Sequence, residues 1–164
     1  MNIKTTHEWS DPGKPDRIVV LGKSGFVANS IIQRLKSNNL DVLALGSDDF
    51  NLLATDAGTS LAAKITENDV LVFVSAIAPS KTRELYFENL QMAKAVCEAL
   101  ENTPVAHLVS ISSDAIYIEN DDPVSENTPT APASLHGLTH ASREMFLQEA
   151  YNGPMISLRP SLLY

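Results

Sequence analysis

The chain has 164 residues, 44% of them hydrophobic, 20% charged and 6% aromatic, with seven Gly and nine Pro. That suits one domain with a sizeable core and excludes collagen-like, coiled-coil and wholly disordered classes. Twelve basic residues against twenty acidic ones leave a formal net charge of −8, which opposes non-specific binding to DNA or RNA. Cys97 is the lone cysteine and has no intramolecular disulfide partner, as expected in a reducing compartment. No apolar run approaches the ~18–20 residues that cross a bilayer, and the opening MNIKTTHEWSDPGKPD lacks the apolar segment of a signal peptide. A soluble cytoplasmic protein is the expectation.

Residues 1–16 are polar, contain two prolines and show no apolar period, so they read as a flexible lead-in in which Trp9 alone could dock. From Arg17 onward, short apolar runs alternate with amphipathic stretches. IVVL (18–21) leads through a glycine turn into a segment whose Ala28, Ile31, Ile32 and Leu35 share one helical face. VLAL (42–45) follows the Asn38-Asn39 turn. A weaker helix over Thr59 to Thr66 precedes VLVFV (70–74). Tyr86, Leu90, Ala93, Cys97 and Leu100 then step by four and three along a helix at 82–101, which turns Cys97 into the core stripe. VAHLVSI (105–111) follows Thr103-Pro104. Residues 119–134 form a long polar loop, a helix spans Ser134 to Tyr151, and MISL (155–158) follows Asn152-Gly153-Pro154.

The apolar runs show little alternation, which is how strands covered on both faces read. Strand alternating with helix predicts a Rossmann-type, doubly wound parallel sheet in a three-layer α/β/α arrangement.

Gly22-Lys23-Ser24-Gly25-Phe26-Val27-Ala28 joins the first strand to the first helix. Glycines there let backbone amides approach an anion, and the helix N-terminus adds free N–H groups and partial positive charge. The small Ala28 lets helix and strand pack closely, as a dinucleotide fingerprint requires. Lys23 can meet a phosphate or simply face solvent, and a tight turn without a ligand is the plain alternative for the whole segment. Dinucleotide sites carry an acid near the end of the second strand for the ribose hydroxyls. Here the strand ends in Gly46-Ser47-Asp48-Asp49, so the acids come two positions late. Asp48 is the candidate ribose ligand, a 2′-phosphate beside Ser47 is the other option, and NAD versus NADP stays open.

Several segments, in order from residue 17 to 164, resemble the extended short-chain dehydrogenase/reductases, the NAD-dependent epimerase/dehydratase group that acts on nucleotide sugars. The glycine turn is similar to that family's GxxGxxG. VLVFVSAIA (70–78) resembles its fourth strand, which implies that Ala76 and Ala78 lie along the cofactor, and Asn89 falls where the family carries an asparagine. LVSISSDAIY (108–117) resembles its SS-x-x-x-Y signature, with Ser113 as the implied catalytic serine and Tyr117 as a packing residue. Glu126-Asn127-Thr128-Pro129 and Pro132-Ala133-Ser134 are similar to its approach to the active-site helix, and Leu158-Arg159-Pro160 with Tyr164 matches its LRP…Y, putting Pro160 at the cofactor.

The resemblance implies NAD or NADP as cofactor, a nucleotide sugar as substrate, and a homodimer paired through the helices at 82–101 and 134–151. It also implies that residues 17–164 are a cofactor-binding domain lacking the C-terminal substrate part that family members carry.

One departure is chemical. The family's Y-G-x-x-K-x-x-x-E reads His136-Gly137-Leu138-Thr139-His140-Ala141-Ser142-Arg143-Glu144 here, with Gly137 and Glu144 holding the register. A phenol titrates near ~10 and needs the lysine's charge to work at neutral pH. An imidazole, with a reference value near ~6.5, needs no such help. His136 is thus the candidate proton carrier, and His140 a candidate hydrogen-bonding partner for the cofactor ribose without a permanent charge. A non-catalytic dinucleotide-binding protein is the alternative. Two histidines one turn apart also suit a metal, but no third ligand is evident, so no metal is expected.

Overall fold

The computed structural model describes residues 13–119 and 123–161. Most of the expected lead-in, Trp9 with it, and the closing Tyr164 lie outside the described residues. Five strands and four helices alternate: β1 (Arg17–Leu21), α1 (Phe26–Ser37), β2 (Val42–Leu45), α2 (Ala57–Ala62), β3 (Asp69–Phe73), α3 (Arg83–Asn102), β4 (His107–Ile111), α4 (Leu135–Ala150) and β5 (Met155–Leu158). One turn of 3-10 helix, Asp114–Ile116, follows β4.

All strands are parallel, in the order β2-β1-β3-β4-β5. The chain steps outward from β1 to β2, then crosses back over β1 to form β3. That reversal opens a crevice between the carboxyl ends of β1 and β3, the place where ligands bind in open α/β sheets.

Alternate side chains of β1 serve two cores. Val19 and Leu21 join Leu71, Phe73 and Leu108 under α2, α3 and α4, through Leu61, Val96, Cys97, Leu100 and Leu147. Ile18 and Val20 face the other way, with Val72, onto Ala28 and Ile32 of α1. Each fully buried side chain of this kind contributes about 1.5–3 kcal/mol relative to exposure. The three-layer α/β/α arrangement follows from these two faces.

Two expectations need correction. The second helix runs over Ala57–Ala62 rather than Thr59 to Thr66. Its expected last turn is drawn off by tertiary partners, because Arg17 Nη2 donates to the Lys64 carbonyl (3.1 Å) and Asp69 Oδ2 accepts from the Thr66 amide (2.7 Å). Among the described residues the MISL strand is covered on one side only. Ile156 and Leu158 are 43% and 44% exposed, because β5 is an edge strand and α1, whose apolar face meets β1 and β3, does not cover it.

Side-chain caps place the helices that carry the site. Thr82 Oγ1 accepts from the Leu85 amide at the start of α3, and Ser134 Oγ accepts from the Gly137 amide at the start of α4. The pair Arg17–Asp69 ties the N-terminal ends of β1 and β3 through two hydrogen bonds of 2.9 and 2.7 Å. Burial opposes ionisation of Asp69, but hydrogen bonds from Arg17 and the Thr66 amide prevail and hold it below the ordinary carboxylate range.

Candidate active site

A cavity of about 790 Å³ opens along the carboxyl ends of β1, β3 and β4. Of the residues singled out from sequence, Gly22, Ser24, Gly25, Phe26, Val27, Ser47, Ala76, Ala78, Ser113, His136, His140 and Pro160 line it. Residues far apart in the chain thus meet around one space, of the size that holds a cofactor or small ligand.

At one end lies the glycine turn. Gly22 has φ +101°, and a Cβ there would stand 3.0 Å from the Ser75 amide nitrogen. Only glycine permits both that conformation and that approach between the ends of β1 and β3. Gly25 caps α1 without any side-chain acceptor, and the first turn carries no acidic residue. The first turn of α1, whose Phe26 and Val27 line the cavity, thus has no capping side chain, and a helix end of that kind fits a dinucleotide diphosphate.

Four predicted cofactor residues do not line the cavity. Ala28 is fully buried and packs α1 against β1. Lys23 Nζ reaches Asp48 (2.9 Å) and Asp49 (2.8 Å), forming a surface bridge from the glycine turn to the end of β2. The Asp49 carboxylate also accepts from the Gly46 amide at 2.7 Å, and these two contacts, Lys23 first, hold it below the usual carboxylate range. Asp48 itself is largely exposed. Asn89, the fourth, is buried in α3, where its Oδ1 accepts from the Ile77 amide (3.0 Å) and its Nδ2 donates to the carbonyls of Ile77 (3.0 Å) and Leu85 (2.8 Å). It clamps the loop that forms one wall.

At the other end the two histidines stand edge to face, ring centroids 4.8 Å apart. His136 Nδ1 accepts from the Ser80 amide at 3.4 Å, which leaves Nε2 as the atom carrying the proton. Ser80 is buried, with its hydroxyl 3.0 Å from Thr139 Oγ1. His140 is buried and pushed down to about 3, first by burial and then by the charges of Arg143 and His136. It is a neutral imidazole at any ordinary pH. Ser113 caps the 3-10 turn, its Oγ accepting from the Ala115 amide and donating to Asp114 Oδ1, both at 3.2 Å.

Sequence reasoning missed two arginines. Arg159 donates to both oxygens of the buried Glu144 (3.0 and 2.7 Å) and to the Tyr117 hydroxyl (3.1 Å), locking β5 to α4 and giving Tyr117 its packing role. Arg143 is 2% exposed and donates through Nη2 to the Ser75 carbonyl at 2.7 Å. Its spacing from His140 by three residues on one helix was the available signal. Among the described residues no group of three His, Cys, Asp or Glu could hold a metal ion.

A family model described as the NAD dependent epimerase/dehydratase family matches residues 18–164. The chain belongs to that family. The family is NAD-dependent. A probable dTDP-4,6-dihydroxy-2-methyloxan-3-one 4-ketoreductase from Streptomyces antibioticus is 26% identical over 153 residues, covering 90% of this chain and 52% of the relative. Among solved structures, the UDP-glucuronic acid 4-epimerase from Bacillus cereus in complex with UDP-glucuronic acid and NAD superimposes with a TM-score of 0.71 at 22% identity, covering 87% of this chain and 55% of that one. A dTDP-4-dehydrorhamnose reductase from Clostridium acetobutylicum gives 0.72 at 20% identity, over 90% and 54%. These structural likenesses bear on the fold. The chain spans about half the length of the family relatives it matches. No helix among the described residues is long and apolar enough to cross a membrane.

Proposed function

We propose that this chain is the cofactor-binding part of an NAD-dependent epimerase, dehydratase or reductase acting on a hydroxyl or carbonyl of a nucleotide sugar, with histidine in the proton-carrying role. One observation carries the reading: the glycine turn, Ser113, His136 and His140 line a single cavity at the sheet's switch point. When bound, the nicotinamide supplies hydride chemistry. Gly22, Ser24, Gly25, Phe26 and Val27 receive the diphosphate, and Ala76, Ala78 and Pro160 wall the site. His136 presents Nε2 to the substrate oxygen, and its Nδ1 bond to Ser80 keeps the ring aimed. His140, uncharged, holds a ribose hydroxyl by hydrogen bonding. Ser113 orients the substrate oxygen, giving up its bond to Asp114 to do so.

The test is titration of the protein with NAD⁺, NADH, NADP⁺ and NADPH, followed by absorbance at the nicotinamide band with a panel of nucleotide sugars. His136→Ala is expected to keep nucleotide affinity within about threefold and to lower turnover by roughly 10²–10⁴. Turnover indifferent to that change refutes the role given to His136. A non-catalytic dinucleotide-binding protein is the second reading, favoured by the Ser113 hydroxyl being engaged by Asp114 and Ala115. Binding without turnover by the full-length protein supports it.

A homodimer through α3 and α4 belongs to the same proposal. Phe87 and Met145, on those helices, are 65% and 68% exposed, a large apolar area for a solvated surface. Sedimentation of the wild type against Phe87→Asp decides it. The lone buried thiol of Cys97 suits the reducing cytoplasm as its setting.

A further inference from the structure

We propose that Arg143 is the fixed positive charge of this site and that, acting through the cavity wall, it biases the bound dinucleotide towards its reduced form. The inference rests on the cofactor reading above. Arg143 is fully enclosed, its guanidinium 4.4 Å over the Phe73 ring. Nη2 has the Ser75 carbonyl, whereas Nε and Nη1 meet no acceptor among the described residues. Ser112 Oγ, on the same cavity, is also buried and unpaired. Among the described residues no carboxylate pairs with it, and the neighbouring Glu144 is engaged on both oxygens by Arg159.

A buried cation with one hydrogen bond and no counter-ion is costly to the fold. Holding the Ser75 carbonyl does not explain it, because a neutral amide would serve and Asn89 already clamps the same loop at Ile77. What a guanidinium adds is field. Ser75, Ser112 and His140 line the cavity, and Arg143 bonds the first and bears electrostatically on the last. His140 is neutral, so the cation stands one turn further along α4, behind the wall. An oxidised nicotinamide is itself a cation and a reduced one is not, so this charge disfavours NAD⁺ relative to NADH.

For a unit charge acting through the wall of the site at an effective dielectric near 20, the bias is on the order of tenfold in relative affinity. The experiment measures Kd for NAD⁺ and for NADH with the wild-type chain, Arg143→Met and Arg143→Lys. The wild type is expected to bind NADH the more tightly. Arg143→Met is expected to lower the ratio of the NAD⁺ to the NADH constant about tenfold, and Arg143→Lys to keep it. A merely structural arginine would weaken both nucleotides together and leave the ratio alone. An unchanged ratio in Arg143→Met overturns the inference, as does a wild type that prefers NAD⁺, a result that needs no variant to fold. A wild type that binds neither nucleotide overturns the cofactor reading itself, and this inference with it.

Discussion

Replacing Gly137 by alanine sets helix propensity against packing. Gly137 lies inside the first turns of α4, where alanine is favoured over glycine by about 1 kcal/mol. The added Cβ, however, would fall inside contact of the Ala115 carbonyl oxygen and 2.9 Å from both Ala115 C and Pro132 Cβ. Ala115 is backbone in a tethered segment. Its amide is capped by Ser113, the Asp114 amide donates to Pro160, and the Ile116 carbonyl accepts from Ala131. Relief therefore requires α4 to move away from the 3-10 turn, which carries His136 away from Ser113. Overpacking of this kind costs about 1–3 kcal/mol, more where backbone must yield, so we expect a net loss of about 2 kcal/mol. For a domain of this size that lowers the thermal midpoint by roughly 4–8 °C. Thermal and urea unfolding followed by circular dichroism measure it, with NADH affinity expected to weaken in parallel. Gly13→Ala, which meets nothing within 4 Å, is the control and is expected within ~0.5 kcal/mol of wild type. A Gly137→Ala protein as stable as wild type would refute the close approach of α4 to the Ser113 segment.

Four further outcomes follow from buried groups. His140 stays neutral when folded down to about 3, whereas the unfolded imidazole gains its proton near ~6.5, so stability falls as pH drops through that interval. Between pH 7.5 and 5.5 the loss is about 1.4 kcal/mol, to be read from urea midpoints, and a His140→Asn curve running parallel to wild type would disprove it. Asp69 adds its own loss only below about pH 4, because its folded value is depressed below the unfolded one. Cys97 is pushed up to about 11, chiefly by burial and then by Glu101 and Glu149, so a thiol reagent at pH 8 should label it only after unfolding. Prompt labelling of the native protein would contradict its place in the core. Glu144→Gln removes one partner of a largely buried ion pair and should cost about 2–3 kcal/mol in urea unfolding, with a change under ~0.5 kcal/mol refuting the Arg159 lock.

Much of the fold was legible because strands buried on both faces and helices with one apolar stripe write their periods into the chain. β2 and β5 match the apolar runs to the residue, and Cys97 lies in the predicted stripe. The glycine turn was legible for a local reason, since strand, glycines and helix are contiguous. The roles of Asn89 and Asp48 were not, because the residue a polar side chain bonds is set by what folds beside it. Asn89 finds the Ile77 peptide, and Asp48 shares Lys23 with Asp49.

The sequence by itself determined the alternation of elements, the glycine bend between β1 and α1, and the presence of two histidines one turn apart on α4. These follow from covalent order and side-chain identity. Only the tertiary structure decided which loop His136 leans on, how far His140 is withdrawn from water, and that, among the described residues, one face of β5 is uncovered and Arg143 is sealed beside Phe73 without a counter-ion. Burial and long-range pairing depend on which distant segments pack together, and desolvation, the largest energy acting on these charges, has no signature in local sequence.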